Sequence, residues 1–222
     1  MAKNRSYKLL CPIARALDRI GDRWTLLILR DLHAGPARFT DLQRGLTAIA
    51  ANLLTERLGK LVSDGLVAKG DGSHGASVYE LTELGARTSN IIFELAMFGT
   101  NFKPEGEIVK PGNLRTVATT LGAVAKRVVS PEMNFRASII VDDENMRLTI
   151  QDGQVLMLYE TCHMPDLIFS TSYSELLALT EGEIAPDVFA KSHSELEIIT
   201  PGKEVEFMTL MFNIVAELNR EQ

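Results

Sequence analysis

The side chains best suited to reading another molecule cluster in residues 50–64. Asn52, Thr55, Glu56, Arg57 and Lys60 supply an amide, a hydroxyl, a carboxylate and two cations in close succession. At roughly 100° per residue, Asn52, Glu56, Lys60 and Ser63 share one face of a helix, with Thr55 and Arg57 on its flanks. Leu54, Leu58, Leu61 and Val62 make the opposite, apolar stripe. These are the groups that base edges and phosphates require. The same pattern describes a solvated surface helix, so its neighbours must decide. Catalytic chemistry has less support. Cys162 and His163 are adjacent and cannot both face one substrate from a strand, and a nucleophile needs its base within hydrogen-bond reach. Cys162, His163 and His193 lack zinc-ligand spacing. Asp142-Asp143-Glu144 is an acidic turn, and neither a phosphate loop nor a dinucleotide fingerprint occurs. No metal or cofactor is expected.

The elements that would position the 50–64 face are legible around it. Pro12 opens a helix to Ile20, striped by Ile13, Ala16 and Leu17 and ended by Gly21. Asp22 is placed to cap a second helix over 24–32, where Trp24 is a core anchor. A short helix starts at Phe39 with Thr40 as its expected N-cap, and Gly45 and Thr47 let the chain turn. The 50–64 helix follows and stops at Gly65. Residues 67–69 and 78–81 read as two strands joined by the glycine-rich tip 70–75. That order is a helix-turn-helix with a wing, a mainly α, α+β domain whose natural target is double-stranded DNA. Its contact candidates are Arg38, Thr40, Gln43, Asn52, Thr55, Glu56, Arg57 and Lys60, with Lys69, Ser73 and His74 from the wing. Thr82 caps a long helix to about 98 whose apolar residues exceed one face, which suggests a partner helix and a homodimer.

The chain has 222 residues and 45% apolar content, enough for two modest domains. The overall charge of −6 conceals an asymmetry: residues 1–103 carry a net +4 and residues 104–222 a net −10. Phosphates would attract the first and repel the second. With two cysteines, no run of apolar residues long enough to span a bilayer and no signal peptide at the start, the sequence predicts a cytoplasmic protein without a membrane partner.

Several motifs agree in order and spacing with a known family. They are Cys11-Pro12-Ile13-Ala14-Arg15-Ala16-Leu17, Ile20-Gly21-Asp22-Arg23-Trp24, Gly35-Pro36, Arg38-Phe39, Leu54-Thr55-Glu56-Arg57-Leu58, Asp64-Gly65-Leu66-Val67 and Tyr79-Glu80-Leu81-Thr82-Glu83-Leu84-Gly85. Over residues 8–100 the chain closely resembles the HxlR family of bacterial and archaeal winged-helix transcription regulators. The resemblance implies a homodimer that binds an inverted repeat through the 50–64 helix and the wing. Two features depart from the pattern. Ala50-Ala51 replaces the usual small polar cap, at a cost of about 1 kcal/mol, and the wing is poor in cations. Cys11 matches the cysteine that serves some members as a redox or electrophile sensor, which makes it a candidate sensor here, with a half-buried structural role as the alternative.

Residues 104–112, with proline and glycine at both ends, read as a linker between a first domain (1–103) and a second (113–222). The second begins with a helix over 114–129. Strands follow at 135–141, 146–151, 154–160 and 166–171, then helices at 173–180 and 186–192, a strand at 195–199 and a last helix at 203–218. This predicts an α+β domain, a meandering antiparallel sheet with helices to one side. The anchors Asp152-Gly153, Pro165-Asp166-Leu167, Glu175-Leu176-Leu177, Gly182-Glu183 and Leu196-Glu197 resemble a sterol-carrier-protein-type domain over 112–222. The resemblance implies an apolar tunnel for a lipid or acyl chain. Candidates to line it are Met146, Leu156, Leu158, Phe169, Leu177, Phe189, Phe207, Met208, Met211 and Phe212, which would otherwise simply fill a core.

The sequence thus points to a non-enzymatic transcription regulator that binds operator DNA as a homodimer, with a C-terminal domain that either binds a controlling apolar small molecule or lipid or strengthens dimerisation. The alternative is a lipid or acyl-chain carrier that uses the winged helix mainly to dimerise. An enzyme with its site in the C-terminal pocket is the third reading.

Overall fold

The computed structural model describes residues 6–72, 75–99, 101–102 and 111–219, apart from the side chain of residue 219. The chain divides into two compact units, Met1–Ile92 with Val109–Gly112, and Phe93–Ile108 with Asn113–Gln222. Most of the expected linker, 104–110, lies outside the described residues.

In the first unit, helices α1 (Pro12–Ile20), α2 (Arg23–His33), α3 (Phe39–Gly45) and α4 (Ala51–Ser63) precede a hairpin of β1 (Val67–Asp71) and β2 (Ser77–Leu81). Ile28, Leu29, Leu42, Leu54, Leu58 and Leu61 are almost wholly buried and form one cluster. The apolar stripe of α4 therefore faces the core, as its spacing requires. Asp22 caps α2 by accepting the Trp24 N–H at 3.0 Å. Thr40 does not cap α3: the N-cap is Arg38, whose own N–H donates to the Asp41 carboxylate at 3.2 Å. An acid three positions into the helix reaches back and makes the threonine unnecessary.

The C-terminal end of α4 is strongly fixed. Gly65 takes φ +71°, Leu66 N–H reaches Leu61 O at 3.0 Å and Gly65 N–H reaches Val62 O at 3.1 Å. That is a Schellman closure with Leu66 packed into the same core as Leu61. Beyond the hairpin, Thr82 N–H donates to Leu66 O and the Thr82 hydroxyl to Gly65 O. Ala37 and Tyr79 exchange both backbone hydrogen bonds, adding a one-residue third rung to the wing.

The single helix expected after Thr82 is two helices, α5 (Glu83–Ala86) and α6 (Ser89–Gly99). The break has a tertiary cause. A Cβ on Gly85 would sit 1.9 Å from Leu66 O, so α5 lies directly on the end of α4. Thr88 then donates its hydroxyl to Gly85 O and meets His33 Nε2 at 2.9 Å, which fixes the turn between the helices.

The second unit opens with α7 (Arg115–Val128). It continues through β3 (Phe135–Val141), β4 (Glu144–Gln151), β5 (Gln154–Leu158), β6 (Leu167–Thr171), α8 (Tyr173–Thr180), α9 (Pro186–Ser192), β7 (Ser194–Ile198) and α10 (Lys203–Asn219). The strand order is β5-β4-β3-β6-β7. The sheet is mixed, not the expected antiparallel meander: β3 and β6 are parallel, with Ile139 opposite Phe169. The two hairpins are local, but the segment after β5 returns beyond β3 and enters β6 in the direction of β3. Asp166 secures that return, accepting Arg136 N–H at 2.8 Å and the Thr200 hydroxyl at 2.8 Å. Phe135, Ala137, Ile139, Met146, Leu148, Ile150, Met157, Leu167 and Phe169 are buried on the face covered by α7 and α10. Gly122 allows α7 close to the sheet, since a Cβ there would lie 2.7 Å from the Met157 side chain.

Candidate functional site

The first candidate surface is the outer face of α4. Asn52, Thr55 and Glu56 are exposed in its first two turns. The Thr55 hydroxyl donates to Ala51 O at 2.9 Å and keeps its lone pairs outward. No side chain caps the helix at Ala50, so its leading N–H groups keep hydrogen-bonding capacity at the positive end of the helix dipole. The turn that delivers α4 is tight: Ala48 adopts φ +81°, and buried Ile49 anchors it, donating its N–H to Leu46 O.

Arg57 and Lys60 are less free than their spacing suggests. Arg57 Nε lies 2.9 Å from Asp22 Oδ1, close as an ion pair though not aligned as a hydrogen bond, and Nη1 contacts Glu56. Lys60 Nζ donates to Asp18 O at 3.1 Å and to Asp64 Oδ2 at 2.9 Å, and Arg19 shares the same Asp64 carboxylate. Both cations fasten α4 to the α1–α2 corner. Arg38 and Thr40 are exposed at the start of α3 and Gln43 is half-buried within it. Lys69 is exposed on β1, 5.6 Å from the Tyr79 ring centroid. Ser73 and His74 lie outside the described residues. The exposed Arg44 of α3 and the bare N-terminus of α4 were not among the sequence candidates. The Ala50-Ala51 pair was the available signal. Cys11 is exposed at the N-cap position of α1, with no side-chain cap bond.

The second candidate is an apolar cleft of about 670 Å³ in the second unit, between the helical layer and one end of the sheet. Phe169, Phe189, Met208, Met211 and Phe212 line it, as do Leu176 and Leu179 of α8, Pro186 of α9 and Leu196 and Ile198 of β7. Met146 and Phe207 belong to the core beneath; Phe207 meets Phe135 edge-on and Phe169 at a tilt, with ring centroids 6.0 and 5.4 Å apart. Leu177 points outward from α8. Leu156 and Leu158 pair with Thr149 and Arg147 and so occupy the opposite face of the sheet from Phe169. Strand alternation separates them from the cleft. On α10 the lining extends to Glu204, Val215 and Leu218, which a helical projection from Met208 and Met211 would have found.

Polar groups hold the cleft's walls. Glu175 accepts from the Ser172 amide and hydroxyl in a capping box at α8, and Oε1 lies 2.8 Å from His193 Nδ1 at the end of α9. The hydrogen bonds with His193 and then Ser172 hold the Glu175 carboxyl below its ordinary value. Glu206 is also lowered: burial opposes this, but hydrogen bonds from Lys203 and the Asn134 N–H outweigh it. Burial pushes the Cys162 thiol up, which favours its protonated form.

Comparison with known proteins places the likeness in the first half of the chain. Residues 19–107 match the family described as HxlR-like helix-turn-helix. The uncharacterized HTH-type transcriptional regulator Rv3095 of Mycobacterium tuberculosis is 38% identical over 102 residues, 44% of this chain and 64% of that protein. The chain thus spans a little under two thirds of that relative's length. The uncharacterized HTH-type transcriptional regulator YvaP of Bacillus subtilis is 31% identical over 42% of this chain and 89% of its own. Among solved structures, the redox regulator HypR in its oxidized form is 27% identical, covering 42% of this chain and 99% of that one, with a TM-score of 0.40.

Proposed function

The chain belongs to the HxlR-like helix-turn-helix family, and on that premise we propose that it is a transcription regulator that binds an inverted repeat in duplex DNA as a homodimer. The observation that carries this reading is α4. Its apolar stripe is buried and its far end locked, while Asn52, Thr55 and Glu56 and the uncapped amides point to solvent. A major groove admits such a helix, where Asn52 would read an adenine edge and the free amides would take a phosphate. Arg38, Thr40, Gln43 and Lys69, with Ser73 and His74 of the wing, complete the proposed contacts. Arg57 and Lys60 serve by holding the helix, and contact phosphate by exchanging Asp22 and Asp64 for it. For the dimer, α6 exposes Ile91, Leu95 and Phe98 at helical spacing, and Leu10, Ile13 and Leu17 are exposed at and before α1.

The second unit acts, in this reading, as the ligand sensor. It resembles a sterol-carrier-type domain, and its apolar cleft is within the usual size of small-molecule sites. A bound molecule would act by preferring one arrangement of the two α4 helices in the dimer.

The test is binding of the full chain to a fragment of its own upstream region and to random DNA, at two salt concentrations. The expected result is dimeric binding roughly 10³-fold tighter to the former, with a steep salt dependence. Equal, weak binding to both fragments, with lipid co-purifying in the cleft, would favour the carrier reading. The engaged states of Arg57 and Lys60 are the observation on that side.

A further inference from the structure

We propose that the cleft of the second unit selects a cationic amphiphile, an apolar body carrying one positive charge, and discriminates against anionic lipids and free acyl chains. This rests on the reading of the cleft as a ligand site and assigns the class of ligand. The charged side chains in its lining are both carboxylates, Asp187 in the first turn of α9 and Glu204 in the first turn of α10. No lysine, arginine or histidine lines it among the described residues. The lysines on the same helices are in ion pairs: Lys191 stands 4.0 Å from Asp187 as a largely exposed pair, and Lys203 is bound to Glu206 at 2.7 Å. A loose surface pair of that kind neutralises little of Asp187. Glu204 accepts the Gly202 N–H at 2.7 Å and forms no ion pair among the described residues.

The apolar part of the cleft has its own signature. Phe212, Ile198 and Met208 are 67%, 47% and 40% exposed although each lines the depression. Large apolar side chains gathered on an open surface mark a place that something covers. Methionines and phenylalanines adapt to aromatic and aliphatic bodies alike, and aromatic faces add attraction for a cation. Around them residues 104–222 carry a net −10. An anion would meet repulsion on approach and no partner on arrival, whereas a cation would meet attraction at both stages.

The test uses the full chain and two probes of the same shape and opposite charge, tetraphenylphosphonium and tetraphenylborate, in calorimetric titration. The cation should bind at least about tenfold more tightly at low salt, and the preference should shrink as salt rises. Asp187→Asn with Glu204→Gln should remove the preference while leaving residual apolar binding. Ala190→Trp, which fills the cleft from an exposed position on α9, should abolish cation binding with thermal unfolding unchanged. If both probes bind equally, or the anion more tightly, and Ala190→Trp still abolishes binding, the site stands and the charge selection falls. If neither probe binds, or cation binding survives Ala190→Trp, the ligand-site reading itself is overturned and the proposal with it.

Discussion

Asn52 and Glu175 show what single side chains decide. Asn52 stands exposed in the first turn of α4. Its replacement by alanine should cost about 1–3 kcal/mol of discrimination at one or two base pairs and leave the salt dependence unchanged, as measured against single-base variants of the bound fragment. Lys60→Ala should behave differently. It removes bonds to Asp18 and Asp64, so it should lower the unfolding temperature as well as weaken binding uniformly. Glu175 carries a pH effect. Its folded value is lowered by His193 and Ser172, so its contribution to stability is complete above the ordinary carboxylate range and disappears as pH falls through the lowered value. Glu175→Gln should therefore flatten the acid limb of a stability-versus-pH curve and leave the alkaline side level. The identity of the exposed candidates was readable from helical projection alone. The Lys60–Asp64 pair follows an i,i+4 pattern, but the ties of Arg57 to Asp22 and of Lys60 to Asp18 were not readable, because those partners lie 35 and 42 positions away.

Elements were legible where their ends carry chemistry. Asp22, Gly65, Ser172 and Pro186 mark helix boundaries that the structure shares, since each satisfies or terminates backbone hydrogen bonds locally. Asp152-Gly153 likewise forms a two-residue hairpin turn with both residues at positive φ. Where the deciding contact is distant, the pattern misleads. The α5–α6 break depends on Gly85 meeting Leu66 and Thr88 meeting His33. The parallel β3–β6 pair depends on where a connection crosses, which strand composition does not encode. Ala48 belongs at this scale too. At φ +81° it holds the turn into α4 in a region that costs an L-residue about 1–2 kcal/mol. Ala48→Gly should raise stability by up to about 1 kcal/mol in denaturant unfolding, with the position of α4 unaltered.

At the scale of the molecule, the chain joins a basic half to an acidic one, and the proposed homodimer would double that pairing. Leu10, Ile13 and Leu17 are exposed, so Ile13→Ser with Leu17→Ser should leave the fold intact but convert a dimer to a monomer in sedimentation and weaken DNA binding by orders of magnitude, through loss of the second half-site. The two ends of α4 then bear on how binding responds to temperature. One end is closed by Leu66 and Gly65, while the other begins at Ala50 with no side chain to hold it. The front turn is formed, Leu54 N–H reaching Ala50 O at 3.0 Å, but without a side-chain cap it is the end that the groove would tighten most. Part of the heat of association would then be heat of ordering. The enthalpy of complex formation should grow more negative on warming faster than rigid docking of the same surface allows. Ala50→Ser, by capping that turn beforehand, should reduce the slope.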